Sequence, residues 1–257
     1  MSSMEIAAQL YTVRALTAVD FASTIGQVAA IGYRAVELAG YGNLGSANEA
    51  CQVMADHGLT CCASHVPIED CERKLDAVLD DIELIGTKNL VVPWLAENRR
   101  RSAADWIAVA KSLDRIGAAC RRRGVTLAYH HHAFEFEKYD GQTAFDLLWR
   151  SCDPVLVKAE LDVYWLRYGG ADPAATIDRL GGRVILLHLK DMAAAPDRRF
   201  AEVGSGILDW PAILAAAGRA NIGWGIVEQD DTFETPPLQA LRTSWEYLKR
   251  LSPAGGG

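Results

Sequence analysis

Short β-branched runs alternate with longer helical segments along this 257-residue chain, and the alternation repeats eight times. The strand-like runs are Glu5–Leu10, Ala35–Leu38, Thr60–Ser64, Asn89–Val92, Thr126–His130, Leu156–Leu161, Val184–Leu189 and Gly223–Glu228. Each is short, apolar and followed by a stretch with helical spacing. Those stretches fall near 20–31, 47–57, 71–85, 103–123, 143–150, 173–180, 210–217 and 237–251. The first four stop at Gly32, Gly58, Gly86 and Gly124, the residue type best suited to a helix C-terminus. Pro173 and Pro211 follow Asp172 and Asp209, the order expected of an N-cap and a first helical turn. Eight such units without a low-complexity linker predict an α/β fold, a single (β/α)8 TIM barrel spanning residues 1–257 as one domain. An open doubly wound sheet would call for a glycine-rich turn after the first strand, and QLYTVR at 9–14 has none. The PAGGG tail is expected to fray.

Half of the chain is hydrophobic, ample for a large core. Its net charge of −7 argues against a general nucleic-acid binder, whose affinity comes from lysine and arginine. The main basic run, RRRG at 121–124, reads as an exposed helix C-terminus favoured by the helix dipole. MSSMEIAAQL has no basic segment leading into an apolar one, and no apolar run approaches bilayer-spanning length. Six scattered cysteines without CxxC spacing suit reduced, buried thiols, with Cys61 and Cys62 on opposite faces of a strand. The expectation is a cytoplasmic protein with neither a nucleic-acid nor a membrane partner.

In a barrel of this kind the chemistry sits at the C-terminal ends of the strands. There the fifth strand ends in YHHHAFEF, which holds half of the six histidines. Strand alternation sends His130 and His132 to the lumen and His131 away from it. In VLVKAELDVYW, Val155, Val157, Ala159 and Leu161 would face the helices, and Lys158, Glu160 and Asp162 the lumen. In VILLHLKD, Ile185, Leu187 and Leu189 would face outward, and His188 and Lys190 inward. The eighth strand adds Glu228 and Asp230, the third His65, the second Glu37 and the first Gln9. So many ionisable groups in one lumen are costly unless they pair or bind a cation. Carboxylates and imidazoles together suit one divalent ion, with Mn²⁺ or Mg²⁺ favoured and Co²⁺ or Zn²⁺ as alternatives.

The ordered strings QLYTVR, GYRAVELAG, ASHVP, YHHHAFEF, ELDVYW, HLKDM, EVGSGILDW and VEQD resemble the xylose isomerase-like barrels known as sugar phosphate isomerases/epimerases, across nearly the whole chain. The resemblance implies a metal held by Asp162, His188 and Glu228 after strands six, seven and eight. Where many members carry a glutamate on strand five, this chain has His130, as in a subgroup with a YHNH-like pattern. That departure removes one of the two carboxylates that epimerases of the family use, and Glu160 is the alternative carboxylate for the metal shell. The implied chemistry is isomerisation or epimerisation of a keto- or hydroxy-sugar or an inosose through a metal-stabilised enediolate. Expulsion of a β-leaving group from the same species would make it a dehydratase.

Glu228, His132, Lys190 and Glu135 are the candidate acid–base groups, Glu135 as a base from the rim. Lys190 has the alternative task of neutralising Glu160 or Asp162. His65, Trp94, Trp165 and Glu37 are candidates for contact with the substrate; His65 and Glu37 are equally readable as hydrogen-bonded core partners, and the tryptophans as plugs of the barrel mouth. EVGSGILDW at 202–210 offers backbone N–H groups to an anion, with Asp209 capping the following helix. A non-catalytic sugar-binding barrel and an abasic-site endonuclease are the competing readings, and the acidic charge speaks against the latter. The family resemblance also implies a homodimer or homotetramer.

Overall fold

A computed structural model describes residues 4–251, so the PAGGG tail lies outside the described residues. Eight parallel strands close into a barrel in chain order: β1 (Glu5–Gln9), β2 (Ala35–Leu38), β3 (Thr60–His65), β4 (Asn89–Val92), β5 (Thr126–His130), β6 (Val157–Asp162), β7 (Val184–Leu189) and β8 (Trp224–Val227). β1 pairs with both β2 and β8, which completes the ring. Four of the eight strands have the bounds expected from sequence, and the others differ by a residue at one or both ends. The surrounding helices are α1 (Phe21–Ile31), α2 (Ala47–Asp56), α3 (Ile68–Ile85), α4 (Ala103–Arg122), α5 (Ala144–Ser151), α6 (Pro173–Leu180), α7 (Trp210–Arg219) and α8 (Pro237–Leu251).

Local chemistry sets the helix ends. Asp20, Ser46, Ser102, Thr143, Asp172 and Asp209 each accept a hydrogen bond from a backbone N–H in the first turn. Gly86 stands in the left-handed conformation at the end of α3, where a side chain would be strained. Helix α3 begins three residues before the expected Cys71, because Pro67 precedes a first turn already charged with Glu69 and Asp70. Arg121 and Arg122 end α4 as the basic run implied, and Arg123 pairs with Asp80 and Glu83 on α3.

Two apolar layers divide along strand parity. The lumen floor is closed by a cluster of mostly small residues, Ala7, Ala35, Cys62, Ala63 and Ala128 with Val91, Leu186 and Ile226. The larger layer lies between strands and helices and includes Val36, Cys61, Val157, Leu187 and Val227. Cys61 and Cys62 therefore face opposite layers, and all six cysteines are free, five of them buried. Two expected outward residues depart from the pattern. Ile185 packs against the floor cluster, and Val155 precedes β6 and is exposed. Among the described residues no helix is long and apolar enough to cross a membrane.

Candidate metal centre and active site

The strand ends open into a cavity of about 610 Å³. Tyr11, Pro93 and the half-exposed Trp94 form part of its wall, and His65, His130, His132, Glu228 and Asp230 bring its polar atoms. No lysine or arginine lines it among the described residues.

His130, Asp162, His188 and Glu228 each bring one donor atom to within 4.8 Å of the others. All four are buried, and they come from the ends of four successive strands. The hydrogen bonds around them fix how each ring is used. His130 Nδ1 lies 3.3 Å from the Pro93 carbonyl, to which it donates. Its Nε2 is then a bare acceptor facing the Asp162 Oδ2 acceptor 3.4 Å away. Two acceptors turned toward each other suit a cation between them, beside the Lys190 ammonium that Asp162 Oδ2 also meets at 3.0 Å. His188 Nε2 donates to Glu37 Oε2 at 2.7 Å. Its Nδ1 points to Glu228 Oε2 at 2.8 Å and lies 3.9 Å from Asp162 Oδ2. A carboxylate on the far nitrogen is the usual partner of a metal-binding imidazole. Asp162 divides its work, since Oδ1 caps the short helix Val163–Tyr168 through the Tyr164 and Trp165 N–H groups while Oδ2 faces the donors. This mixed nitrogen and oxygen set fits a divalent ion.

Glu160 points elsewhere. Its Oε2 meets His65 Nε2 at 2.9 Å and His188 Nε2 at 3.2 Å, in a second group with Glu37. Between the two alternatives for the fourth ligand, the geometry groups His130 with Asp162, His188 and Glu228 and sets Glu160 apart. A register shift between β6 and β7 after Ala159 opposes Glu160 to Leu186 and Asp162 to His188. Gln9 Nε2 donates to Glu37 Oε2 at 2.6 Å, as its inward parity implied.

Lys190 is fully buried, and its ammonium pairs with Asp162 Oδ2 at 3.0 Å, Asp230 Oδ2 at 2.9 Å and Glu228 Oε2. It neutralises Asp162 and not Glu160. Burial works against the charged lysine, but the three carboxylates overcome it and hold its pKa well above the ordinary value. Burial likewise opposes ionisation of Glu228, yet Lys190 and His188 keep it well below the usual carboxylate range. Burial and then the charge of Lys190 press His132 down to about 3, so it is neutral, and its Nδ1 has no hydrogen-bond partner. His65 is moved the other way, to about 9, because Glu37 and Glu160 outweigh its burial.

Two expectations are corrected. Glu135 is not on the rim. It is fully buried behind β5, where Oε1 accepts from the Tyr129 hydroxyl at 2.6 Å and Oε2 from the His132 N–H at 2.8 Å. It shapes the turn after the histidines from the helix side, so it has no reach to the cavity. Nor is the 202–210 loop an anion site. The Gly204, Gly206 and Leu208 N–H groups and the Trp210 indole N–H all donate to the buried Asp191 carboxylate. The chain supplies its own anion there, and Asp209 caps α7 as expected.

Trp94 stands at the cavity mouth, whereas Trp165 packs against His132 and Phe200 and is not part of the lining. His131, turned outward, accepts from the Asp162 N–H at 3.2 Å through Nε2 and packs against Phe136 and Phe145. Asp191 and Tyr11 had not been singled out. Asp191 lies 13 to 19 residues before the loop groups it binds, too far for a local pattern to show, whereas Asp230 is legible from strand parity.

Residues 25–251 match the family described as the xylose isomerase-like TIM barrel. An inosose dehydratase from Geobacillus kaustophilus is 28% identical over 171 residues, which is 60% of this chain and 55% of that enzyme. The chain thus spans about half the length of most of the curated relatives it matches. A sugar phosphate isomerase/epimerase structure from Parabacteroides distasonis aligns with 98% of this chain and 96% of its own at a TM-score of 0.84, with 22% identity. The IolI protein, solved with a bound zinc atom, aligns with 96% of this chain and 98% of its own at a TM-score of 0.72 and 13% identity. At these identities the structural likenesses speak to the fold alone.

Proposed function

The chain belongs to the xylose isomerase-like TIM-barrel family, and from that premise we propose that it is a divalent-metal-dependent lyase that dehydrates an uncharged keto-polyol of the inosose class. One observation carries the reading: two imidazoles and two carboxylates bring donor atoms within 4.8 Å of one another at strand ends that open into a cavity lined by no lysine or arginine among the described residues. Such a lining offers no counter-charge to a phosphate and many partners to hydroxyl groups. Strand five contributes His130 instead of a carboxylate, which leaves a two-carboxylate epimerase mechanism without one partner. The inosose dehydratase relatives favour elimination on the same grounds of likeness.

A divalent ion held by His130, Asp162, His188 and Glu228 would polarise a carbonyl oxygen and acidify the neighbouring C–H. His132, neutral and on the cavity wall, is assigned as the base that takes this proton. Asp230, also on the wall, has its pKa pushed up by burial and is assigned as the acid that gives its proton to the departing hydroxyl; it regains one from His132 through solvent, so that one water is lost overall. Lys190 holds Asp162, Glu228 and Asp230 in place from behind. Trp94 offers an apolar face to the C–H side of a ring.

The test is NMR in D₂O with 2-keto-inositols and added Mn²⁺ or Co²⁺. Loss of water with deuterium beside the carbonyl is the expected result. A new stereoisomer or positional isomer, without loss of water, would favour the second reading, an isomerase or epimerase. No change in any keto-polyol would contradict both.

A further inference from the structure

Behind the four donors lies a second group that the proposed chemistry leaves unused. Glu37, His65 and Glu160 come from β2, β3 and β6, and His188 from β7 turns its other nitrogen toward them. Glu37 Oε2 lies 2.7 Å from His188 Nε2 and 3.3 Å from His65 Nε2. Glu160 Oε2 lies 3.2 Å and 2.9 Å from the same two atoms. A tetrahedral ion with bonds near 2.0 Å has donor–donor edges of about 3.3 Å; two of these four nitrogen–oxygen edges match it, the other two are shorter, and all four donor atoms lie within 4.8 Å of one another. Both carboxylates are fully buried, and Oε1 of each has no hydrogen-bond partner. His65 is also part of the cavity wall, which provides an entry path from solvent.

Charge points the same way. Glu37, Glu160, Asp162, Glu228 and Asp230 bring five carboxylates into one lumen, and among the described residues Lys190 is the one lysine or arginine paired with any of them. With Asp230 holding the proton it gives to the leaving group, the other four ionised and the imidazoles neutral, one divalent ion and that ammonium leave one negative charge buried, a costly state. A second divalent ion offsets that charge and the one left on the His188 ring when it gives up its proton.

We propose that Glu37, His65, Glu160 and Nε2 of His188 form a second divalent-cation position, and that the His188 ring is shared between the two ions. The inference rests on the reading that His130, Asp162, His188 and Glu228 hold the first. Filling both positions leaves the His188 ring without an N–H and releases its proton to solvent. The N₂O₂ donor set suits Zn²⁺ or Mn²⁺.

Metal content of the full chain, saturated with Zn²⁺ or Mn²⁺ and then desalted, should approach two ions per chain. The Glu160→Gln and His65→Asn variants should keep one, and anomalous scattering from wild-type crystals should give one peak at each group. The scattering arm needs no variant to fold. One ion at His130 and Asp162 with none at Glu37 and Glu160 overturns the second position and leaves the proposed function standing. An ion in neither place overturns both.

Discussion

Asp191→Asn should destabilise the protein severely, and the size of the effect follows from the hydrogen bonds. Oδ1 accepts from the Met192 N–H at 2.8 Å and the Leu208 N–H at 3.1 Å. Oδ2 accepts from the Gly204 N–H at 2.9 Å, the Gly206 N–H at 3.1 Å and the Trp210 Nε1–H at 2.7 Å. An amide keeps one of these oxygens and turns an NH₂ group toward the donors of the other. In its better orientation it still loses two bonds and sets donors against donors. Bonds to a charged acceptor contribute about 1.5–3 kcal/mol each, so the loss should be about 3–6 kcal/mol. A domain holds together by roughly 5–15 kcal/mol in all. Thermal unfolding followed by tryptophan fluorescence should show a fall of the order of 10 °C in midpoint. A fall below about 2 °C would refute the claim that Asp191 pins this loop, and would reopen the loop as a site for an external anion.

Three further outcomes are expected. Burial raises Glu135 to about 7, above the value near 4.5 it has in an exposed chain, so the folded state binds the extra proton between those pH values. Stability from this group is therefore present below about pH 4.5 and lost as pH rises toward 7. Glu135→Gln should flatten that slope in urea unfolding series, by up to about 3 kcal/mol between pH 4.5 and 8; an unchanged slope would show that Glu135 is not its source. Lys190→Met leaves Asp162, Glu228 and Asp230 without their ammonium, and the metal-free protein should lose about 3–5 kcal/mol. Added Mn²⁺ should recover much of that loss in a melting assay. Gly117→Ala drives a methyl group into the Leu156 carbonyl oxygen, where α4 meets the chain entering β6, and should cost about 1–3 kcal/mol by chemical denaturation with the fold retained.

The barrel was legible because its signals are local. Strand parity placed Gln9, Glu37, His130, Glu160, Asp162, His188 and Lys190 in the lumen, and each is there and buried. Capping residues and glycines gave most helix ends correctly. Parity cannot say which inward groups meet. Glu160 and Asp162 share a face of β6, yet one turns to Glu37 and His65 and the other to His130, a division set by neighbouring strands and a register shift. Glu135 misled because three residues of a tight turn after His132 reverse the direction a strand would have given it. Short elements such as Val163–Tyr168 carry too few residues to show a period, and the Asp191 loop forms only between segments distant in sequence.

The proposed function rests on a divalent ion held by His130, Asp162, His188 and Glu228 at the strand ends. Bound metal per chain, measured by plasma mass spectrometry after saturation with Mn²⁺ and desalting, tests it directly when wild type is compared with Asp162→Ala. The lost helix cap and the broken pair with Lys190 should cost the metal-free variant about 3–5 kcal/mol, and circular dichroism checks that it folds. The variant should retain one ion fewer than wild type; equal metal content in the two proteins would show that these four residues do not hold the ion.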